Sequence, residues 1–257
     1  MNTVRRWRFT ALEFRTLWDA TGRDVLPYPL QHQFTTEFRS ESLRLRQAAA
    51  KTLQPQLDDD LLRAVHVLIV PEARVELAGF TGTGRDRKLR AHAGVHHEHG
   101  AIAVQEPGPD NDHGGDVTLA FLPDTGVARE IVAVLPDCGP GRAEQLRVAA
   151  EDLDKPPPPV RDSWRTTPRQ ELERFFARPT TCIAHIGVYA LGSPDNRHTE
   201  GRKDFQITDF DDDGRYVTVG DNTIVTKPTT SDRITTTLQD MISRTVTAVR
   251  DGVYLPR

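Results

Sequence analysis

The stretch Asp58-Asp59-Asp60-Leu61-Leu62-Arg63-Ala64-Val65-His66-Val67-Leu68-Ile69-Val70-Pro71-Glu72-Ala73-Arg74-Val75-Glu76-Leu77 holds two kinds of regular structure and the switch between them. Three carboxylates at its start favour a helix N-terminus, where the unsatisfied backbone N–H groups carry partial positive charge. Leu61, Val65, Leu68 and Ile69 then recur at helical spacing and define one buried face. Pro71 ends the helix because it lacks an N–H and clashes with the preceding turn. Beyond it the period drops to two. Val75 and Leu77 alternate with Arg74 and Glu76, which predicts a strand with one wet face.

Working outward, Leu89 to Val95, Ala101 to Gln105 and Val117 to Leu122 read as three further strands. They are separated by Gly82-Thr83-Gly84 and by the polar run Pro107 to Gly115. Asp124 is expected to cap a helix with Val127, Ile131, Val134 and Leu135 inside, stopped by Pro136. Upstream, the charged opening Arg5-Arg6-Trp7-Arg8 reads as the lead-in to a helix. Thr10 and Glu13 form a capping box for it, and Phe9 and Phe14 are placed as a hydrophobic staple. Phe14, Leu17 and Trp18 share its inner face, and Gly22 stops it. A polar helical stretch is expected from Thr36 to Leu53.

Pro156 to Pro159 favour an extended connector between Asp154 and Thr167. Thr167-Pro168-x-Gln170 starts a helix with Leu172, Phe175 and Phe176 inward. Strands follow at Cys182–Leu191, Phe205–Phe210 and Tyr216–Thr226, the last bent at Gly220-Asp221-Asn222. A helix from Ser231 to Val249 closes the chain, with Ile234, Leu238, Met241, Ile242, Thr245 and Val249 as its stripe. Strands thus come in runs rather than singly between helices, which is the α+β pattern. The order helix, strands, helix occurs twice. It divides the chain into an N-terminal half, 1–155, and a C-terminal half, 156–257, within one compact unit.

The chain has 257 residues, 33 Lys and Arg against 37 Asp and Glu, and a formal net charge of −4. Charge is uneven: residues 1–100 are net positive and residues 101–155 strongly negative. No basic stripe of the kind nucleic-acid binders carry is present. No apolar run is long enough to span a membrane, and the opening residues lack the apolar core of a secretory signal. Cys138 and Cys182 form neither a disulfide framework nor a zinc motif and suit a reducing cytoplasm.

His92, His96, His97, His99 and His113 crowd one region with Glu98. They lack a second ligand cluster and the H-E-x-x-H spacing, so a polar hairpin tip is expected and no metal site. Asp209-x-Asp211-x-Asp213-Gly214 matches half an EF-hand loop. Gly220 stands where a bidentate Glu belongs, so a tight β-turn is expected. Gly79-x-x-Gly82-x-Gly84 precedes a strand, not a helix, and no phosphate-binding motif exists. No nucleophile elbow is present. His185 lies in an apolar strand and reads as a core histidine. Neither a catalytic residue nor a cofactor is therefore expected.

One resemblance spans nearly the whole chain. Trp7-x-Phe9-Thr10-x-Leu12-Glu13-Phe14-x-x-Leu17-Trp18, Gly22, Leu26-Pro27-x-Pro29-Leu30 and Pro71 to Leu77 carry its first part. Gln105-Glu106-Pro107-Gly108, Ile131 to Pro136, Asp212 to Tyr216 and Val225-Thr226-x-Pro228 carry the rest. In their order and spacing these segments resemble the EspG family, cytosolic chaperones of actinobacterial type VII (ESX) secretion systems. The resemblance implies a central antiparallel sheet flanked by helical bundles, in two pseudo-symmetric halves. It implies a binding protein that grips the apolar tip of the PPE partner in PE–PPE heterodimers, keeps it soluble and directs it to a cognate secretion system. It offers no invariant contact residue. The docking face is therefore placed by element, on Phe205, Ile207, Arg215, Tyr216, Asp232, Arg233, Ile234 and Leu238. Arg215, Tyr216, Asp232 and Arg233 form its expected solvent-facing rim. A metal-dependent enzyme and a generic ligand-binding or scaffold module on the same fold remain alternatives at this point.

Overall fold

The computed structural model describes residues 4–33, 39–154, 166–193, 195–196 and 201–254. The proline run 156–159 and the start of the 36–53 stretch lie outside them. Among the described residues the elements are β1 (Arg5–Phe9), α1 (Ala11–Asp19), α2 (Arg39–Leu53), α3 (Asp59–Ile69), β2 (Ala73–Thr81), β3 (Arg87–His96), β4 (His99–Pro107), β5 (Gly114–Pro123) and α4 (Val127–Val132). They continue as β6 (Leu146–Ala149), α5 (Ala150–Asp154), α6 (Pro168–Phe176), β7 (Thr180–Ala190), β8 (Lys203–Phe210), β9 (Arg215–Val219), β10 (Thr223–Pro228) and α7 (Ser231–Arg250). The fold is α+β. All ten strands form one sheet in the order β1-β5-β4-β3-β2-β7-β8-β9-β10-β6, antiparallel at every pairing.

Each face of the sheet carries its own core. On one face α4 and α7 bury Ile131, Ile234, Leu238 and Ile242 against Val75, Leu77, Ala93, Ile186 and Ile207. On the other, α1 and α3 bury Phe14, Trp18, Leu61 and Leu68 against Ala101, Val117 and Leu119. Capping is as the residues dictate. Thr10 and Glu13 bond reciprocally, as do Thr167 and Gln170, and Asp58 accepts from the Leu61 N–H.

Four local expectations are corrected, and one strand was not foreseen. Arg5 to Phe9 is an edge strand rather than a helical lead-in, because its backbone pairs with β5 from Arg5↔Phe121 to Phe9↔Val117. β2 has no wet face. It sits at the sheet centre between β3 and β7, and Arg74 and Glu76 are only 3% and 7% exposed. Arg74 Nε lies 2.7 Å from Glu76 Oε1, with its guanidinium over the Tyr189 ring at 4.7 Å. The polar side of the alternation is thus satisfied inside the protein. Asp124 does not cap α4; it opens a short 3₁₀ turn, and α4 starts at Val127 with Gly126 in the cap position and no side-chain cap. Tyr216 to Thr226 is a hairpin of two strands and not one bent strand. Finally, β6 is a short edge strand that carried too few residues to be read.

The segment Leu26 to Gln31 is strapped over the buried polar side of β3 and β4. His92 Nδ1 meets the Tyr28 carbonyl at 2.8 Å, and Arg90 Nη2 donates to Gln31 Oε1 at 2.8 Å. Gln105 exchanges two bonds with the Gln31 backbone, and Asn196 bonds the Leu26 carbonyl and the Tyr28 N–H. The carbonyl can only accept, so Nδ1 of His92 carries a proton. Burial pushes its pKa down to about 4.

Candidate functional site

Helix α7 has one apolar stripe, Ile234, Leu238, Ile242 and Val246, and spends it on the strands at the middle of the sheet. The sheet runs on beyond the helix. Strand alternation puts Val217 and Val219 on the same face as Phe205 and Ile207, through the pairs Ile207↔Val217 and Val225↔Val219. No described helix covers Val219, which is 42% exposed. The result is a groove of about 1050 Å³ between the first half of α7 and strands β8, β9 and β10. Phe205, Val217 and Val219 form its floor, and Ile234, Thr237 and Met241 its helical wall. Lys203, Asp221, Lys227, Asp232 and Arg233 form its polar margin. An apolar floor with a charged rim is the anatomy of a docking surface.

The residues assigned to docking separate into three groups. Phe205, Ile234, Asp232 and Arg233 all line the groove, the last two exposed in the first turn of α7. Ile207 and Leu238 are fully buried beneath it and hold the helix on the sheet. Arg215 and Tyr216 overturn the expectation of a solvent-facing rim.

Arg215 is 0% exposed. Its Nε and Nη2 bond Asp209 Oδ1 and Oδ2 at 2.7 Å each, Nη2 also reaches the Pro136 carbonyl at 2.6 Å, and Nη1 reaches Ser231 Oγ at 3.0 Å. It ties β8, β9, the α4–β6 connection and the start of α7 together. Tyr216 points to the opposite face. Its ring meets Phe175 and Phe210 edge-on at 5.0 and 5.6 Å, and its hydroxyl accepts from the Ala143 N–H at 2.8 Å and donates to Asp213. The stretch Pro136 to Ala143 crosses over the beginning of β9 and covers both residues. Nothing in the local pattern of 212–216 reveals that cover.

Asp213-Gly214 forms the β8–β9 turn. A Cβ at Gly214 would sit 2.7 Å from the Pro140 carbonyl oxygen, so only glycine fits there. Burial alone would raise the Asp213 carboxyl, but bonds from Tyr216, the Arg142 backbone and Arg178 outweigh it and hold the pKa at about 2. His185 is not a core residue. Its neighbours Ala184 and Ile186 face one core while its own side chain, 41% exposed, faces the other way to Asp204 at 2.5 Å. Asp204 is also held by Arg202 at 2.9 Å. Among the described residues the hydrogen bonds of His185 end at that carboxylate.

The other histidines divide. His92 is buried under the strap, and His113 bonds Asp110 at 2.7 Å in the β4–β5 loop. His66, His96 and His97 cluster ring against ring. Among the described residues no group of three or more His, Cys, Asp or Glu side chains has the arrangement of a metal site. Burial pushes the Cys182 thiol up to about 12, away from the thiolate a nucleophile needs. No described helix is long and apolar enough to cross a membrane.

The groove residues missed by sequence reasoning are Val217, Val219, Lys203, Lys227 and Met241. Alternation in Tyr216-Val217-Thr218-Val219 marked a strand face. It could not tell that this face outruns the helix above it.

These features define a class: an antiparallel-sheet protein whose prominent concave surface is an apolar groove rimmed by charge. The chain belongs to the EspG family, whose model matches residues 10–240. No curated protein sequence matches it. Among solved structures it is similar to the Mycobacterium tuberculosis type VII secretion system chaperone EspG5, determined in complex with a PE25–PPE41 dimer. The TM-score is 0.58 at 12% identity, covering 94% of this chain and 96% of that one, a likeness of fold.

Proposed function

We propose that this chain is a non-catalytic secretion chaperone that holds PE–PPE heterodimers in the cytoplasm by receiving the apolar tip of the PPE subunit in the groove beside α7. It keeps the pair soluble and hands it to a type VII secretion system. The observation that carries the reading is the groove floor that runs from buried Phe205 through half-buried Val217 to exposed Val219, in a chain of the EspG family. Covering an apolar tip of several hundred Å² suppresses its self-association without any reactive group. A structure of similar fold was determined in complex with a PE25–PPE41 dimer, which supports a partner of this kind.

The reading includes two pseudo-symmetric halves with helical bundles on their flanks, 1–155 and 156–257. The strand order supports the doubling, with the division falling earlier than 155, between α4 and β6, because β6 (Leu146–Ala149) and α5 (Ala150–Asp154) go with the second run. From one edge it runs β1-β5-β4-β3-β2, from the other β6-β10-β9-β8-β7, and the runs meet at β2 and β7. Each half opens with its edge strand, passes through helices, lays down four consecutive strands and ends in a helix.

Co-expression with PE–PPE pairs from the same genome, followed by affinity capture, tests the function. The wild-type chain is expected to retain a pair, and Val219→Asp to lose it while melting like the wild type, since Val219 is half in solvent. Equal capture by both would overturn the groove assignment.

A further inference from the structure

We propose that the groove selects partner tips whose apolar residues are flanked by carboxylates, and that Lys203, Lys227 and Arg233 set this preference. The inference rests on the docking reading above. It starts from how the cations of this chain are used. Many of the arginines sit in ion pairs, among them Arg5 with Asp58 and Asp60, Arg6 with Glu130, Arg202 with Asp204, Arg215 with Asp209 and Arg250 with Glu72. Lysine is scarce, five among 33 basic residues, yet two of the five line this groove. Lys203, Lys227 and Arg233 are all exposed, and none has a carboxylate within ion-pair distance among the described residues.

Their positions enclose the floor. Lys203 stands two residues from Phe205 at the start of β8, on the same face. Lys227 on β10 is the register partner of Val217. Arg233 projects from the first turn of α7 on the opposite wall. Arg147, exposed on β6, extends the cationic margin as the register partner of Val225.

Three carboxylates also border the groove, and two of them are offset. Asp204 is neutralised by Arg202 and hydrogen-bonded to His185. Asp232 lies in the first turn of α7, where the positive end of the helix offsets its charge. Asp221, in the β9–β10 turn two residues from Val219, is the one carboxylate left to set against Lys203, Lys227 and Arg233. The surplus around the apolar floor is positive. A docked tip displaces water from this margin, so an acidic flank gains and a basic flank meets uncompensated ammonium groups.

The experiment uses the full chain and the PE–PPE heterodimer recovered with it. Binding is measured at about 50 and 300 mM NaCl for the wild type, Arg233→Glu, the double variant Lys203→Glu/Lys227→Glu, and Val219→Asp. Each reversed charge is expected to weaken binding up to about fivefold, the double variant tenfold or more at low salt, with little loss at high salt. A partner whose tip carboxylates are changed to lysine should bind the double variant better than the wild type. Charge variants that bind as tightly as the wild type at low salt would overturn the selectivity and leave the docking reading standing. Normal binding by Val219→Asp, with its floor spoiled, would remove the docking reading and this inference with it.

Discussion

Replacing Arg215 by methionine keeps its length and apolar stem and removes its charge. Asp209 and Arg215 are both 0% exposed, so the change strands a carboxylate in the interior with two lost bonds of 2.7 Å. Breaking a buried pair on one side costs about 3–5 kcal/mol. The Pro136 carbonyl and Ser231 hydroxyl lose their donor as well. Against a total stability of roughly 5–15 kcal/mol this is a large fraction. At a urea slope near 3 kcal/mol/M it moves the midpoint down by about 1–2 M. Urea titration followed by circular dichroism reads the effect for Arg215→Met, Asp209→Leu and the double variant. The double variant strands no charge and is expected to be more stable than either single one. If Arg215→Met unfolds like the wild type, or loses only partner capture, Arg215 acts at the surface and the argument from burial is wrong.

Leu238→Ala should cost about 2–5 kcal/mol, because Leu238 is fully enclosed between α7 and the sheet and a cavity would remain; an unchanged thermal midpoint would mean that α7 is not sealed there. Gly79→Ala should destabilise by about 1–3 kcal/mol, since the new Cβ would lie 2.4 Å from the Ile183 carbonyl oxygen and 2.7 Å from the Ala184 Cα, neither of which is a movable side chain; wild-type stability would show that the β2–β7 seam can open freely. His92 has a folded pKa of about 4, below its unfolded value near 6.5, so the unfolded chain takes up the proton first as the pH falls. Its contribution is complete above pH 6.5 and is lost toward pH 4, by up to about 3 kcal/mol. His92→Gln should flatten that part of the stability profile, and an unchanged slope between pH 6.5 and 4 would exclude His92 as its source.

What could be read from the residues was what is written locally. Thr10 with Glu13, Asp58, and Thr167 with Gln170 announce their helices because capping bonds span three residues. Strands β3, β4, β5 and β8 announced themselves through alternation. Long-range arrangement was not legible. The polar alternation of β2 looked like a solvent face, and only its position between β3 and β7, under Tyr189, makes Arg74 and Glu76 interior. Arg215 looked like a rim residue because it ends a turn, yet its burial depends on a segment some 75 residues upstream. The groove follows from the same limit. A stripe on α7 says which face of the helix is buried, not how many strands lie beyond it. Asp232 and Arg233 were placed at its mouth because a helix start seldom lies inside a core.

The seam between β2 and β7 also governs how the protein must be made. β2 pairs with β3 as soon as that hairpin emerges, but its other edge, from Ala73 to Thr81, waits for Cys182 to Ala190. A ribosome adding roughly 5–20 residues per second needs about 5–20 s for the intervening ~110 residues. During that interval the first five strands present an open, apolar-flanked edge at what will become the centre of the sheet, the kind of edge that recruits foreign strands. The second half is therefore the first strand-bearing partner the nascent chain must find, and its arrival closes the edge before the groove beside α7 exists.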